Sequence, residues 1–180
     1  MVPYDKLVIN KLLDSYESSL LSTGENERTI HIEVKFTKTF LPAYFDESSG
    51  AYERIHIQMQ QLEEEELIHI IWKNKKENHI IQKIRLNVDN LNRVYAYVKR
   101  TPKSELVRLN VEMLKEYCEQ LDATNLTVCR KFARFLLERL EENKTVKEFI
   151  QLDNMNESRM LLSAIQAVEQ NDKSLYESRS

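Results

Sequence analysis

Glycine is almost missing from these 180 residues, with only Gly24 and Gly50 present. Folds rich in tight turns need many positive-φ positions, which glycine fills at the least steric cost, so its scarcity favours helices over sheet. Two isolated glycines also exclude the glycine-rich phosphate loops GxGxxG and GxxxxGK[ST]. Cysteine is as sparse. Cys118 and Cys129 are too few for a disulfide framework and lack CxxC spacing, which leaves them as half-buried reduced thiols. No apolar run approaches about 18 residues and no basic-then-apolar leader opens the chain. The expectation is a soluble cytoplasmic protein with no membrane partner.

Motifs that carry chemistry are missing too. His31, His56, His69 and His79 are the only histidines, and none stands in HExxH or beside a cysteine at ligand spacing. No GxSxG occurs. The run Glu63-Glu64-Glu65-Glu66 draws the eye, but consecutive helical residues fan out by about 100° each and cannot converge on one hard cation. At a helix C-terminus, where the macrodipole disfavours anions, the run reads as a solvated face, with an acidic docking surface as the alternative. The chain is therefore expected to hold no catalytic site, metal or cofactor, and not to be an enzyme by itself.

What is present is an uneven charge map. The net charge is −3, yet residues 1–66 carry 6 Lys/Arg against 13 Asp/Glu, residues 67–103 carry 9 against 2, and residues 104–180 carry 11 against 14. A basic island thus lies between acidic flanks.

Hydrophobic periodicity places the elements. A helix is predicted from Tyr4 to Leu21, with Ile9, Leu12, Leu13, Tyr16 and Leu20 on one stripe and Gly24 able to cap it. The alternation Ile30, Ile32, Val34, Phe36 predicts a half-buried strand. Residues 37–50 read as loop, and 51–65 as a second helix with Tyr52, Ile55, Met59 and Leu62 inward. Leu67–Lys73 and His79–Asn87 read as a hairpin around Asn74–Asn78. Pairing Lys73 with His79 sets Trp72 opposite Ile80, Ile70 opposite Gln82 and Ile68 opposite Ile84, without a bulge. Trp72 is then expected beneath the hairpin, against the stripe of the second helix. Its outer face would carry His69, Lys73, His79, Lys83 and Arg85, with Ile71 opposite Ile81.

Helix, strand, loop, helix, strand, loop, strand is the order of a winged helix, with the weak stretch Lys38–Phe45 standing for the usual middle helix. Thr101-Pro102 marks a boundary, as N-cap and first helical residue. Beyond it Leu106, Leu109, Met113, Tyr117 and Leu121 stripe one helix, and Cys129, Phe132, Ala133, Leu136 and Leu140 another. A short piece at Val146–Ile150 precedes a last helix, Glu157–Gln170, with Leu161, Ala164, Ile165 and Val168 inward. The predicted fold class is α+β and mostly helical: a winged-helix-like domain over 1–100, then an antiparallel helical bundle over 101–180.

The basic hairpin is the candidate binding site. Lys73, Lys75, Lys76, Lys83 and Arg85 could displace counterions from phosphates. Three readings fit it: contact with DNA or RNA, a solvated face offsetting the acidic flanks, or docking on an acidic protein partner. The second helix argues against base reading. It exposes Glu53, Arg54, His56, Gln58, Gln60 and Gln61, then four glutamates that would approach phosphates in a groove.

Leu12-Leu13-Asp14-Ser15-Tyr16-Glu17-Ser18-Ser19 and Thr23-Gly24-Glu25-Asn26 resemble the opening of JetD-like proteins, the nuclease subunits of Wadjet plasmid-defence systems. The likeness continues through Leu41-Pro42-Ala43-Tyr44, Tyr52–Trp72 and Lys99-Arg100-Thr101-Pro102-Lys103-Ser104. It implies an N-terminal region facing DNA or a partner, followed in the family by a metal-binding Toprim domain that cleaves DNA within an SMC-like complex. A Toprim core needs an Asp-x-Asp, and none occurs here. The chain is thus expected to be an N-terminal portion: a non-catalytic DNA-contact and docking module. Its expected partners are double-stranded DNA, bound weakly and without sequence preference, SMC-like complex subunits and, as a possibility, a second copy. A protein-interaction or dimerisation module without DNA binding, and a winged-helix transcription regulator, are the alternatives.

Overall fold

Residues 2–19, 31–76, 79–122, 126–141 and 154–178 are described by a computed structural model of the chain. They fall into two compact units, Met1–Thr101 and Pro102–Ser180. The architecture is mixed α and β, mostly helical, with one small antiparallel sheet.

The first unit runs α1 (Tyr4–Glu17), β1 (Glu33–Lys35), two 3-10 turns (Pro42–Phe45 and Glu47–Ser49), α2 (Ala51–Glu64), β2 (Ile68–Trp72), β3 (Ile81–Leu86) and α3 (Leu91–Tyr97). Its core is built from the stripes that periodicity marks. Val8, Ile9, Leu12 and Leu13 of α1 meet Ile55, Met59 and Leu62 of α2, and Val34, Ile68, Ile84 and Leu86 of the sheet close over them. The helix expected to reach Leu21 ends at Glu17; Leu20, Gly24 and Ile30 lie outside the described residues. Where a middle helix was sought, Pro42 opens a single 3-10 turn that carries Tyr44 into the core.

The strand order is β1-β3-β2, so β3 is the central strand. The expected hairpin register is corrected by two residues: Ile68 pairs with Leu86, His69 with Arg85, Ile70 with Ile84 and Ile71 with Lys83. A two-residue slide keeps the same side chains on the same face, so alternation alone cannot detect it. The expected absence of a bulge is also overturned. Trp72 pairs with Ile81, and the register shifts between Ile71 and Trp72, leaving Gln82 as the extra residue on β3. The bulge has a clear benefit. Strict alternation from Ile84 would turn Gln82 inward and Ile81 outward; with it, Gln82 is exposed and Ile81 enters the core. Ile81 therefore leaves the outer face assigned to it, and Trp72 is half-buried rather than enclosed.

Glycine scarcity is met by placing other residues at left-handed positions. Glu66 has φ 59° and Lys99 φ 53°. At the end of α2 the Leu67 amide donates to the Leu62 carbonyl and the Glu66 amide to Glu63; at the end of α3 the Arg100 amide donates to Tyr95 and the Lys99 amide to Ala96. Both ends are Schellman motifs in which glycine would be the least strained choice. Glu66→Gly should therefore raise stability by about 0.5–1 kcal/mol, visible as a higher urea midpoint at unchanged slope.

The second unit consists of α4 (Lys103–Asp122), α5 (Thr127–Glu141) and α6 (Met155–Glu177). The Pro102 carbonyl accepts from the Leu106 amide, which makes Pro102, not Thr101, the residue that opens α4. Leu114, Leu136 and Leu162 form one core cluster, and Leu126, Cys129 and Ala133 a second. The α4 stripe is rotated from expectation: Asn110 and Leu114 are buried, while Leu106, Leu109, Met113 and Tyr117 are half-buried. Ala164 and Val168 of α6, expected inward, are exposed. The Cys118, Leu121 and Leu140 side chains and the Val146–Ile150 piece lie outside the described residues. No helix among the described residues is long and apolar enough to cross a membrane.

Candidate nucleic-acid interface

The tip of the hairpin is a tight turn. The Lys76 amide donates to the Lys73 carbonyl at 3.1 Å, and the two residues between them, Asn74 and Lys75, have φ of 55° and 57°. Two successive left-handed residues closed by that bond make a type I′ turn at the start of the connection between Lys73 and Ile80, and the favoured pair of such a turn is Asn-Gly. Here lysine stands where glycine would relax the backbone, at a cost of about 1–2 kcal/mol. Lys73, Lys75 and Lys76 are all exposed, and no carboxylate among the described residues pairs with them.

The other two candidate cations are differently placed. Lys83 and Arg85 lie on the outer face of β3 as expected, but β1 brings Glu33 between them. Lys83 Nζ donates to Glu33 Oε2 at 2.6 Å, and Arg85 Nε and Nη2 donate to Oε1 at 2.9 and 2.8 Å. Burial pushes the Glu33 carboxyl up, yet the hydrogen bonds and charges of Lys83 and Arg85 outweigh it and hold the group below the usual carboxylate range. The face is therefore less cationic than the local charge count implies. His69 faces Arg85 there, not Lys83. Lys35, opposite Lys83, adds an exposed cation to this face. Sequence reasoning missed it because Lys35 sits in an acidic third of the chain, although the alternation of β1 already put it beside Glu33's face. Arg100, also in the basic island, turns inward to Asp14 and Glu17 of α1, each at 2.9 Å.

The outward side of α2 is less available for base reading than its sequence suggests. His56 is buried, not exposed. Gln58 ties α2 to α1: its Oε1 accepts from the Asp5 amide at 2.9 Å, and its Nε2 donates to the Val2 carbonyl at 3.3 Å. Arg54 donates to the Ser49 carbonyl at 3.3 Å. In the glutamate run, Glu63 accepts from the Ile70 amide at 2.5 Å, which satisfies a donor on edge strand β2. Glu64 and Glu65 remain exposed, as does Ile57 two turns earlier in α2, itself 56% exposed.

Both feet of the hairpin are fixed by aromatic residues. The Tyr44 hydroxyl accepts from the Ile81 amide at 2.9 Å and stands 2.8 Å from His56 Nε2. With the Ile81 amide already donating to that oxygen, the Nδ1–H tautomer of His56 is the one that gives the phenolic proton an acceptor. The Tyr52 hydroxyl donates to the His79 carbonyl. The His56 ring lies 4.1 Å from that of Tyr52 and 5.4 Å from Trp72. Burial drives the Tyr44 phenol up to about 12 and the His56 imidazole down.

Among the described residues, no group of three or more His, Cys, Asp or Glu side chains is placed to hold a metal ion. Comparison of the chain with protein-family models, curated proteins and solved structures gave no match.

Proposed function

We propose that the first unit is a winged-helix-like module that contacts the phosphates of double-stranded DNA through its hairpin tip, weakly and without reading sequence. The observation that carries this is the tip itself: three exposed lysines on a type I′ turn with no carboxylate partner among the described residues, one of them where glycine would be less strained. The element order and the central position of β3 between β1 and β2 support the winged-helix reading, with the hairpin as the wing and α2 in the recognition position. Two 3-10 turns take the place of its middle helix. The family resemblance of the quoted segments supports a role as a non-catalytic, cytoplasmic part of a JetD-like plasmid-defence subunit, docking on SMC-like partners. In that setting the complex supplies specificity, and this unit supplies a phosphate contact.

With Lys83 and Arg85 held by Glu33, three tip contacts give a log–log salt slope of about −3. Lys75→Glu with Lys76→Glu should flatten that slope to about −1 and weaken binding to unrelated duplexes alike. Titrating wild type and the double variant with two duplexes at two salt concentrations tests this; a strong preference for one duplex, untouched by the substitutions, contradicts it. Glu33→Gln is the converse experiment. Freeing both cations should steepen the slope towards about −4.5. A second reading, docking on a protein, is favoured by exposed Ile57, with Glu64 and Glu65 exposed two turns further on. It predicts negligible duplex binding at physiological salt in wild type and variants.

A further inference from the structure

We propose that the buried His56 imidazole is an acid-released latch on the foot of the hairpin, setting whether the lysine-bearing tip is held in place. Three anchors meet around this ring. Tyr44 bonds His56 and the Ile81 amide together, Tyr52 packs at a tilt on the ring and holds the His79 carbonyl, and Trp72, the residue before the tip, has its own ring 5.4 Å from that of His56. The Lys73 amide donates to the Ile80 carbonyl at 2.8 Å and completes the closure. Every residue from His79 to Ile81 is thus pinned by one backbone hydrogen bond, and two of those three bonds come from side chains that pack on His56.

The latch works only with a neutral ring. A neutral Nε2 gives the Tyr44 proton an acceptor while the Tyr44 oxygen accepts from Ile81. A second proton on His56 turns Nε2 into a donor, so the phenolic proton must rotate away into a buried region or Tyr44 must release Ile81. No charged group among the described residues faces the ring. Tyr44 faces it from the 3-10 turn and Tyr52 from α2, both neutral phenols; Trp72 faces it from β2, and the Ile81 side brings only an amide to Tyr44. Burial alone accounts for the downward shift of the imidazole.

The sign follows from linkage. The closed hairpin disfavours protonation, so the open form binds the additional proton. Closure is fully supported above the ordinary imidazole value of 6.5 and is lost as pH falls below it, until the depressed value of the closed state is reached. Within that window the opening equilibrium should rise up to about tenfold per pH unit. The latch rests on the hairpin's geometry alone, and its test reads conformation rather than DNA binding, so its failure is distinguishable from failure of the phosphate-contact reading.

The experiment follows amide exchange at Ile81, with Trp72 fluorescence, in the full chain between pH 8 and pH 5, against the Leu12 amide as a core reference. After correction for intrinsic exchange, Ile81 should accelerate up to about tenfold per pH unit below 6.5 and level off where the His56 ring resonance of the closed form titrates, while Leu12 stays protected. His56→Gln, whose amide oxygen can accept from Tyr44 at any pH, should abolish the transition, and His79→Gln should leave it in place. A transition that persists in His56→Gln, or wild-type exchange at Ile81 that stays flat between pH 6.5 and the pH at which the His56 resonance titrates, overturns the latch. The wild-type comparison decides the matter even where the glutamine variant does not fold.

Discussion

Replacing Tyr44 by phenylalanine is expected to lower the stability of the first unit by about 2–4 kcal/mol, measured as a reduced urea midpoint at unchanged slope. The ring stays, so the edge-on contacts with Phe36 and Phe45 at 5.2 Å are kept. What is lost is one oxygen that serves two buried partners. The Ile81 amide loses its acceptor and His56 Nε2 its donor, and each unsatisfied buried group costs about 1–3 kcal/mol. A phenylalanine variant as stable as wild type would mean that Ile81 and His56 find water or other partners.

Glu169→Ala should cost a similar amount, about 2–4 kcal/mol, this time in the second unit. Glu169 lies on α6 yet caps α5: its carboxylate accepts from the Val128 amide at 2.9 Å and from the Cys129 amide at 2.8 Å. Those are orphan donors of a helix N-terminus, where a negative charge is also favoured by the macrodipole. Burial raises the carboxyl, but the two amides, the Cys129 thiol and Lys173 outweigh it and bring the group down to about 2. Burial and the nearby carboxylate push the Cys129 thiol the other way, up to about 11, which keeps it protonated and unreactive. Because the folded value is depressed, the stabilisation is fully present above the unfolded value of 4.5 and is lost as pH falls from there to about 2. Thermal melts of wild type and variant should therefore converge on acidification, and parallel curves down to pH 2 would rule out the charged cap.

Much of this architecture was legible in the sequence. The spacing of Ile9, Leu12 and Leu13 and of Ile55, Met59 and Leu62 marks two helix faces that are in fact buried, and Ile32, Val34 and Phe36 alternate into the core as read. Register was less legible. A two-residue slide of β2 against β3 preserves which side chains face inward, and the bulge at Gln82 shows only when the cost of burying an amide side chain is weighed against strict pairing. In α6 the apolar residues lie on two sides of the helix. Leu161, Leu162 and Ile165 belong to the inward side, whereas Ala164 and Val168 belong to an outer stripe that periodicity alone does not distinguish.

The surroundings of the candidate site were legible in part, for a reason of distance along the chain. The tip lysines are exposed as expected because their environment is local: a short turn exposes whatever it carries. Lys83 and Arg85 are misread as open cations because their neutralising partner is Glu33, 50 and 52 residues away in sequence. A regional charge sum cannot see a carboxylate delivered by strand pairing. His56 is misjudged for the same reason. On a helical wheel it borders the polar side of α2, but the 3-10 turn brings Tyr44 over it.

The central claim is that the hairpin tip, and not α2, meets nucleic acid. Its most direct test is a backbone NMR titration of the full chain with two short duplexes of unrelated sequence at low salt. Shifts should concentrate at Lys73–Lys76 and His79, with smaller ones at Lys35, and should be the same for both duplexes and fade as salt is raised. Shifts centred on Arg54, Ile57 and Gln61 that differ between the duplexes would contradict it, since they would place the exposed face of α2 in a groove.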